Sequence, residues 1–159
     1  MEQSNTLGSI ALSAVAKHGG CVSAAGIRYG SVLYLAFGQA RLSNVTQDIQ
    51  SKIYPVELEI GADDWKLSRN DRLILDSRFT NSRNARFTLS DNLVTQKIND
   101  IVLYDRTLDL VFSQNTVLSV VVRPSPASGF LYSLYIDGVG SWETLDGEAI
   151  SDQSSHELR

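Results

Sequence analysis

Two histidines, one cysteine and a scatter of aspartates are the residues of this sequence with the chemistry to act on a substrate. His18 and Cys21 stand three positions apart, close enough in the chain to share a metal ion. A closed zinc site takes four ligands, and the other histidine, His156, lies far along the chain. The pair is therefore read as a helix-end histidine beside a buried cysteine, and neither a metal nor another cofactor is expected. Asp63, Asp64, Asp105 and Asp109 supply carboxylates, which work in acid/base pairs at separations set by folding and not by sequence spacing. Asp63 and Asp64 precede Trp65 in a turn, where aspartate is favoured by hydrogen bonds to its own backbone. Asp109 alternates with Leu108 and Leu110, so a solvated position is expected for it. Neither Gly-x-x-x-x-Gly-Lys-Ser/Thr nor Gly-x-Ser-x-Gly occurs, which removes two common enzyme classes. No catalytic residue is assigned, and a protein that is not an enzyme is expected.

Binding chemistry is better represented. Between Lys66 and Arg86 stand Arg69, Arg72, Arg78 and Arg83, with only Asp71 and Asp76 opposing them, a local charge of +4. From Asp137 to Arg159 the balance is −5. The two stretches are either solvated surfaces that face each other or a polar surface for a charged partner. Tryptophan and arginine dominate binding energy at protein interfaces. The residues assigned to partner binding are Asp63, Asp64, Arg69, Arg72, Arg78, Arg83, Arg86, Trp142 and Glu143. Trp65 and Trp142 are also read as core fillers in equivalent positions.

These residues must be held by a chain of 159 residues, the length of one ordinary domain. Net charge is −4, the wrong sign for general nucleic-acid binding. No apolar run approaches the roughly 20 residues of a membrane span. The first residues lack the basic region of a secretory signal, and a single cysteine suits a reducing compartment, so a cytoplasmic location is expected.

Apolar spacing predicts a helix over 6–17, capped by Asn5 or Thr6 and stopped by Gly19 and Gly20. Alternation predicts strands through Leu33, Leu35 and Phe37 and through Val56, Leu58 and Ile60. A hairpin is expected around "SRND", joining Trp65–Leu67 to Leu73–Leu75. The arginine-rich stretch 76–93 reads as a long loop, with a short helix over 90–98. Further strands are expected at 101–104, 108–112, 117–122 and 130–136, and 151–159 reads as a flexible tail.

One pattern cuts across these elements. Tyr29 to Gln39, "YGSVLYLAFGQ", is echoed 75 residues later by "YDRTLDLVFSQ", and "LEIGADDW" by "LYIDGVGSW". The second echo matches Leu58 to Leu134, Ile60 to Ile136 and Trp65 to Trp142. Taken together they suggest pseudo-repeats at 6–78 and 88–150 within one domain over 1–150. The expected fold is α+β: a mainly antiparallel, twisted sheet assembly, with internal duplication of two sheet units and one or two short helices.

At "YGSVLYLAFG", "DDWKL" and "FLYSLYIDG", over roughly residues 20–150, the chain resembles a group of small bacterial proteins. Their pattern is a Gly-Ser-hydrophobic run ending in Phe-Gly, a tryptophan hairpin, and a strand followed by a Gly-rich turn. Some resemble immunity proteins found beside polymorphic or contact-dependent inhibition toxins. The chain departs from the group in its alanine-rich N-terminal helix and in "YPVELEIG". The resemblance implies an antitoxin-like immunity protein, monomer or homodimer, that binds a cognate toxin domain and covers its active or substrate-binding surface. Net charge and the short apolar runs lead to the expectation of no nucleic acid or membrane partner. The alternatives are a homo-oligomeric structural or adaptor protein using an exposed strand edge, and an enzyme built on dispersed carboxylates.

Overall fold

A computed structural model describes residues 7–28, 32–44, 50–61, 64–78, 82–104, 107–121 and 132–144. The described residues form helix α1 (Leu7–Ala16), strands β1 (Val22–Arg28), β2 (Val32–Phe37), β3 (Arg41–Asn44), β4 (Gln50–Ile53), β5 (Val56–Gly61), β6 (Trp65–Arg69) and β7 (Arg72–Asp76), then helix α2 (Ser82–Leu93) and strands β8 (Ile98–Tyr104), β9 (Thr107–Phe112), β10 (Thr116–Val121), β11 (Tyr132–Ile136) and β12 (Gly140–Thr144). Two five-stranded antiparallel sheets result, ordered β1-β2-β5-β11-β12 and β7-β6-β10-β9-β8, beside a separate β3-β4 hairpin. Neither five-stranded sheet closes into a barrel. The architecture is the α+β assembly of antiparallel sheet units expected above. No described helix is long and apolar enough to cross a membrane.

Alternation explains how the sheets bury their inner faces. Ala25, Leu35, Leu58, Leu134 and Trp142 are successive cross-strand partners in the first sheet. Ile101, Leu110, Leu118, Leu67 and Leu75 form the matching row of the second. Both rows belong to, or pack against, one apolar core, joined by Ala11, Ala14 and Val15 of α1 and by Leu89 and Leu93 of α2. Such burial is worth roughly 1.5–3 kcal/mol for each large aliphatic side chain.

The strand orders correspond one to one when β1, β2, β5, β11, β12 are read against β8, β9, β10, β6, β7. Each half thus places three strands in its own sheet and sends a hairpin into the other. A shift of 75 residues carries Val32–Phe37 onto Thr107–Phe112, so the two strands of the first echo occupy corresponding places. The registers agree as well: Val22 faces Phe37 as Ile98 faces Phe112, and each ladder is irregular at that step, between Val22 and Ala24 and between Ile98 and Asp100. The halves meet where Val22 N–H donates to Gln96 O at 2.8 Å and Ile98 N–H to Gly20 O at 3.0 Å, two bonds that exchange under the same correspondence. Both helices end in left-handed residues at matching positions, Gly19 (φ 92°) and Thr95 (φ 76°). Gly20 N–H bonds Val15 O at 3.1 Å, the long closing bond of a Schellman end.

The second echo is not an equivalence. Leu58 and Leu134 are cross-strand neighbours in one sheet, and β10, not β11, corresponds to β5. Trp65 and Trp142 are both buried in the core, but Trp65 opens β6 whereas Trp142 lies in β12, opposite Leu134.

The short helix also moves, from the expected 90–98 to Ser82–Leu93, and the second structural unit begins there instead of at 88. Ile98 opens β8 because its amide is claimed by Gly20. The stretch read as a loop is helical because Leu89 and Leu93, four apart, share a face that reaches the core, and α2 packs on β1. Its arginines and asparagines mask that short apolar stripe. The tail 151–159 lies outside the described residues.

Candidate functional site

The second sheet turns a polar row away from the core. Strand pairing aligns Asp76, Lys66, Ser119, Asp109 and Val102 across all five strands. Each alternates with core residues, since Leu67, Leu108, Leu110, Leu118 and Val120 point inward. Along this face Asp64, Trp65, Lys66, Asp76, Arg78, Thr107, Ser119 and Val121 line a cleft of 440 Å³.

Its rim is fixed by backbone chemistry. Val121 N–H donates to Asp64 O at 3.0 Å, and Ser77 N–H donates to Trp65 O at 3.0 Å. Trp65 N–H donates to Ser77 Oγ at 3.2 Å, and the Ser77 hydroxyl donates to Asp64 Oδ1 at 3.4 Å. At the base, the Asp76 carboxylate accepts from Arg78 N–H at 2.9 Å and from Arg78 Nη2 at 3.2 Å. The Asp76 side chain is only 6% exposed whereas that of Arg78 is 74% exposed. A recessed carboxylate thus holds an arginine outward.

Of the residues assigned to partner binding, Asp64 and Arg78 meet in this cleft. Arg69 turns away from it: Nε donates to Thr116 Oγ1 at 2.9 Å and Nη2 to Asn92 O at 3.3 Å, close to the C-terminal end of α2. There a cation complements the helix dipole. Arg72 is exposed opposite Arg69 at the far end of the β6-β7 hairpin. Trp142 is part of the core. Asp63 and Asp105, and the side chains of Arg83, Arg86 and Glu143, lie outside the described residues. Asp109 is half-buried on the same face as the cleft, opposite Ser119. Cys21, expected to be buried, is exposed; its backbone pairs with Lys97 in the bridge joining the two halves. His18 is exposed too. Among the described residues no group of three or more His, Cys, Asp or Glu side chains could hold a metal ion.

Lys66, Ser119, Thr107 and Val121 are not among the residues assigned to partner binding, although Lys66 opens the basic stretch. Alternation predicts that Lys66 and Ser119 point outward, but nothing local says that β6 and β10 are neighbours.

The two charged stretches do not pair through Asp137. That residue is held by Arg41 of β3, whose Nε and Nη2 donate at 2.6 and 2.9 Å, and by the Tyr135 hydroxyl at 2.9 Å. The Arg41 hydrogen bond is the main reason the Asp137 carboxyl sits at about 2 instead of 3.8. Partial burial, then the hydrogen bond to Asp137, raises the Tyr135 phenol.

Two further clefts carry less. One of 560 Å³ runs beside the β6-β7 and β9-β10 turns. Its Asn70, Asp71, Gln114 and Asn115 all have positive φ, so the turn backbone itself accounts for most of its amides. The other, 620 Å³, lies between α1 and the β11-β12 hairpin.

Comparison with protein-family models, curated proteins and solved structures gives no match for this chain.

Proposed function

We propose that this is a partner-binding protein and, in its specific form, a bacterial immunity protein. It acts in the cytoplasm by covering the active or substrate-binding surface of a cognate toxin domain. The observation that supports docking is a difference between corresponding sheet faces. In β2 the residues facing away from the core, Val32, Tyr34 and Ala36, are buried. Their counterparts in β9, Thr107, Asp109 and Val111, are each partly exposed. The uncovered face is also the richer in valine, with Val102, Val111, Val117 and Val121 where the first sheet has Gly26, Ala36, Glu57 and Gly61. Val102, Val121 and Leu73 are 36%, 41% and 53% exposed on that face. Apolar side chains set among charged ones are the composition of a recognition surface with a dry centre and a polar rim. The toxin identity of the partner rests on the sequence resemblance.

The test is isothermal titration of the full chain with the C-terminal domain of a toxin encoded beside its gene. A complex of nanomolar affinity is expected, and no complex overturns the immunity reading. One observation favours a second reading, a homo-oligomer: β3 and β4 pair only with each other among the described strands, which leaves a short edge open to strand addition. Sedimentation at micromolar concentration separates a monomer from that assembly.

A further inference from the structure

Each half of the chain is built into the other. Strands β1, β2 and β5 of the first half make up three places of one sheet, and the β11-β12 hairpin of the second half fills the rest; β6-β7 makes the return exchange. The hairpins are held by matching ladders of five residue pairs, Val56–Ile60 against Tyr132–Ile136 and Trp65–Arg69 against Thr116–Val120. The helices cross over as well, since α1 packs mainly on β8 and α2 on β1. Neither half completes its sheet without the other's hairpin. At the centre, a residue meets its own counterpart: Cys21 is bridged to Lys97, and the correspondence that carries Val22 onto Ile98 carries Cys21 onto Lys97. A position paired with its own equivalent marks the two-fold axis of an isologous interface, in which both sides present the same patch.

We infer that the surface between the halves is a dimer interface closed within one chain, and that a second copy of this chain fits it by exchanging halves. In the exchanged dimer the Val22 amide of one molecule donates to Gln96 O of the other, the Ile98 amide of the other donates to Gly20 O of the first, and each hairpin fills its usual place in the opposite molecule's sheet. No new contact is required, because every bond between the halves is available in the same form from a second copy. The stretch between Arg78 and Ser82 that joins the halves decides which pairing wins. A short connection gives an effective concentration on the order of millimolar, so the chain closes on itself when dilute and exchanges when concentrated. Because helices and hairpins are interleaved, folded molecules do not trade halves on contact. Exchange takes place while the chains fold. It leaves the outer face of the second sheet as it is, so docking on that face and exchange stand or fall separately. It also differs from strand addition at β3-β4, which keeps residues 21 and 97 paired within one molecule.

The bridge between residues 21 and 97 supplies the readout. The Val22 and Ile98 hydrogen bonds flank it, which makes it the close, non-hydrogen-bonded kind of antiparallel pair. Such pairs hold their Cα atoms about 4.5 Å apart, within the span of a disulfide. Lys97→Cys is therefore expected to oxidise to a disulfide with Cys21 inside one chain. The unaltered protein and the variant Cys21→Ser/Lys97→Cys carry one cysteine each, so a 21–97 link between them requires two molecules. The two full-length chains are unfolded together in urea under reducing conditions, refolded at about 5 or about 500 μM, and then oxidised. Non-reducing gels and peptide mass spectrometry measure the 21–97 link. Roughly tenfold more or better is expected from the concentrated refolding, because exchange grows with concentration relative to the effective value. Chains mixed after folding should give little, and sedimentation of the linked species should show a compact particle of two chains. The inference is overturned if concentrated refolding gives no more 21–97 link than dilute refolding, or if folded chains link as well through chance contact of exposed cysteines. A Lys97→Cys chain that fails to close its own disulfide overturns it too, since the contact on the axis would be missing. If no exchange occurs but a toxin complex forms, the immunity assignment stands and the exchange falls. If exchange occurs and no toxin complex forms, the reverse holds.

Discussion

Arg41 and Asp137 illustrate how one residue pair can hold an element that the core does not. No described side chain of the β3-β4 hairpin belongs to the apolar core, and a two-stranded hairpin alone is marginal in water. One tie to the rest of the protein is the two-pronged contact of Arg41 with Asp137. The carboxyl holds its proton less tightly in the folded chain than when unfolded, so the contact stabilises most above pH 3.8 and is lost as pH falls toward about 2. Arg41→Gln should therefore lower the melting temperature slightly at pH 7, and thermal melts should show the gap from the parent closing between those two pH values. At the same scale, Thr95 is a β-branched residue at φ 76°, where its counterpart is Gly19. A side chain there costs roughly 1–2 kcal/mol, so Thr95→Gly should raise unfolding free energy by about 1 kcal/mol in urea titration.

Among the elements, α2 is the one whose existence depends most on its surroundings. Its sequence, "SRNARFTLSDNL", has few strong helix formers and several residues that compete for backbone hydrogen bonds. Asn92 does so within the helix, donating to Thr88 O at 2.8 Å. Burial of Leu89 and Leu93 against the core makes up the difference. Leu93→Ala should cost about 2–4 kcal/mol by removing a fully buried side chain, whereas Phe87→Ser, on the exposed side, should leave the urea midpoint almost unchanged. The contrast tests whether packing, and not propensity, makes this segment helical. The helix within 76–93 is hidden in the sequence for the same reason. Two buried leucines among polar residues give a weak period, and the strand they pack against, β1, lies far away in the chain.

For the whole molecule, the exchange of hairpins decides where a site can form. The β6-β7 hairpin leaves the first sheet and pairs with β10, which sets Lys66 beside Ser119 and Arg78 beside Thr107 and Val121. The described cleft therefore combines residues from both halves, and neither half alone contains it. Val121→Asp would place a carboxylate on the docking face without touching the core. It should weaken the toxin-domain complex at least tenfold, as one buried unpaired charge or lost apolar contact does. Its melting temperature should stay near that of the parent because Val121 is already partly exposed. Titration calorimetry and thermal melts of the same preparation check both halves of this expectation.

The sequence by itself pointed to β2 and β5 to β11, to the inward stripe of β2 and to its kinship with β9, but not to β1, β3, β4 or β12. Alternation with a period of two is local, and Leu33, Leu35 and Phe37 recur as Leu108, Leu110 and Phe112. It also pointed to Arg78, as a member of a long charged stretch, and to Asp64, as one of two aspartates in the turn before Trp65. Only the tertiary structure decided that Arg69 turns inward, that Asp137 belongs to Arg41, and that Leu58 faces Leu134 as a neighbour and not as a repeat. Side-chain alternation says which way a residue points, but not which strand lies beside it. Pairing is a choice among distant segments, settled by how all the apolar faces can be buried at once.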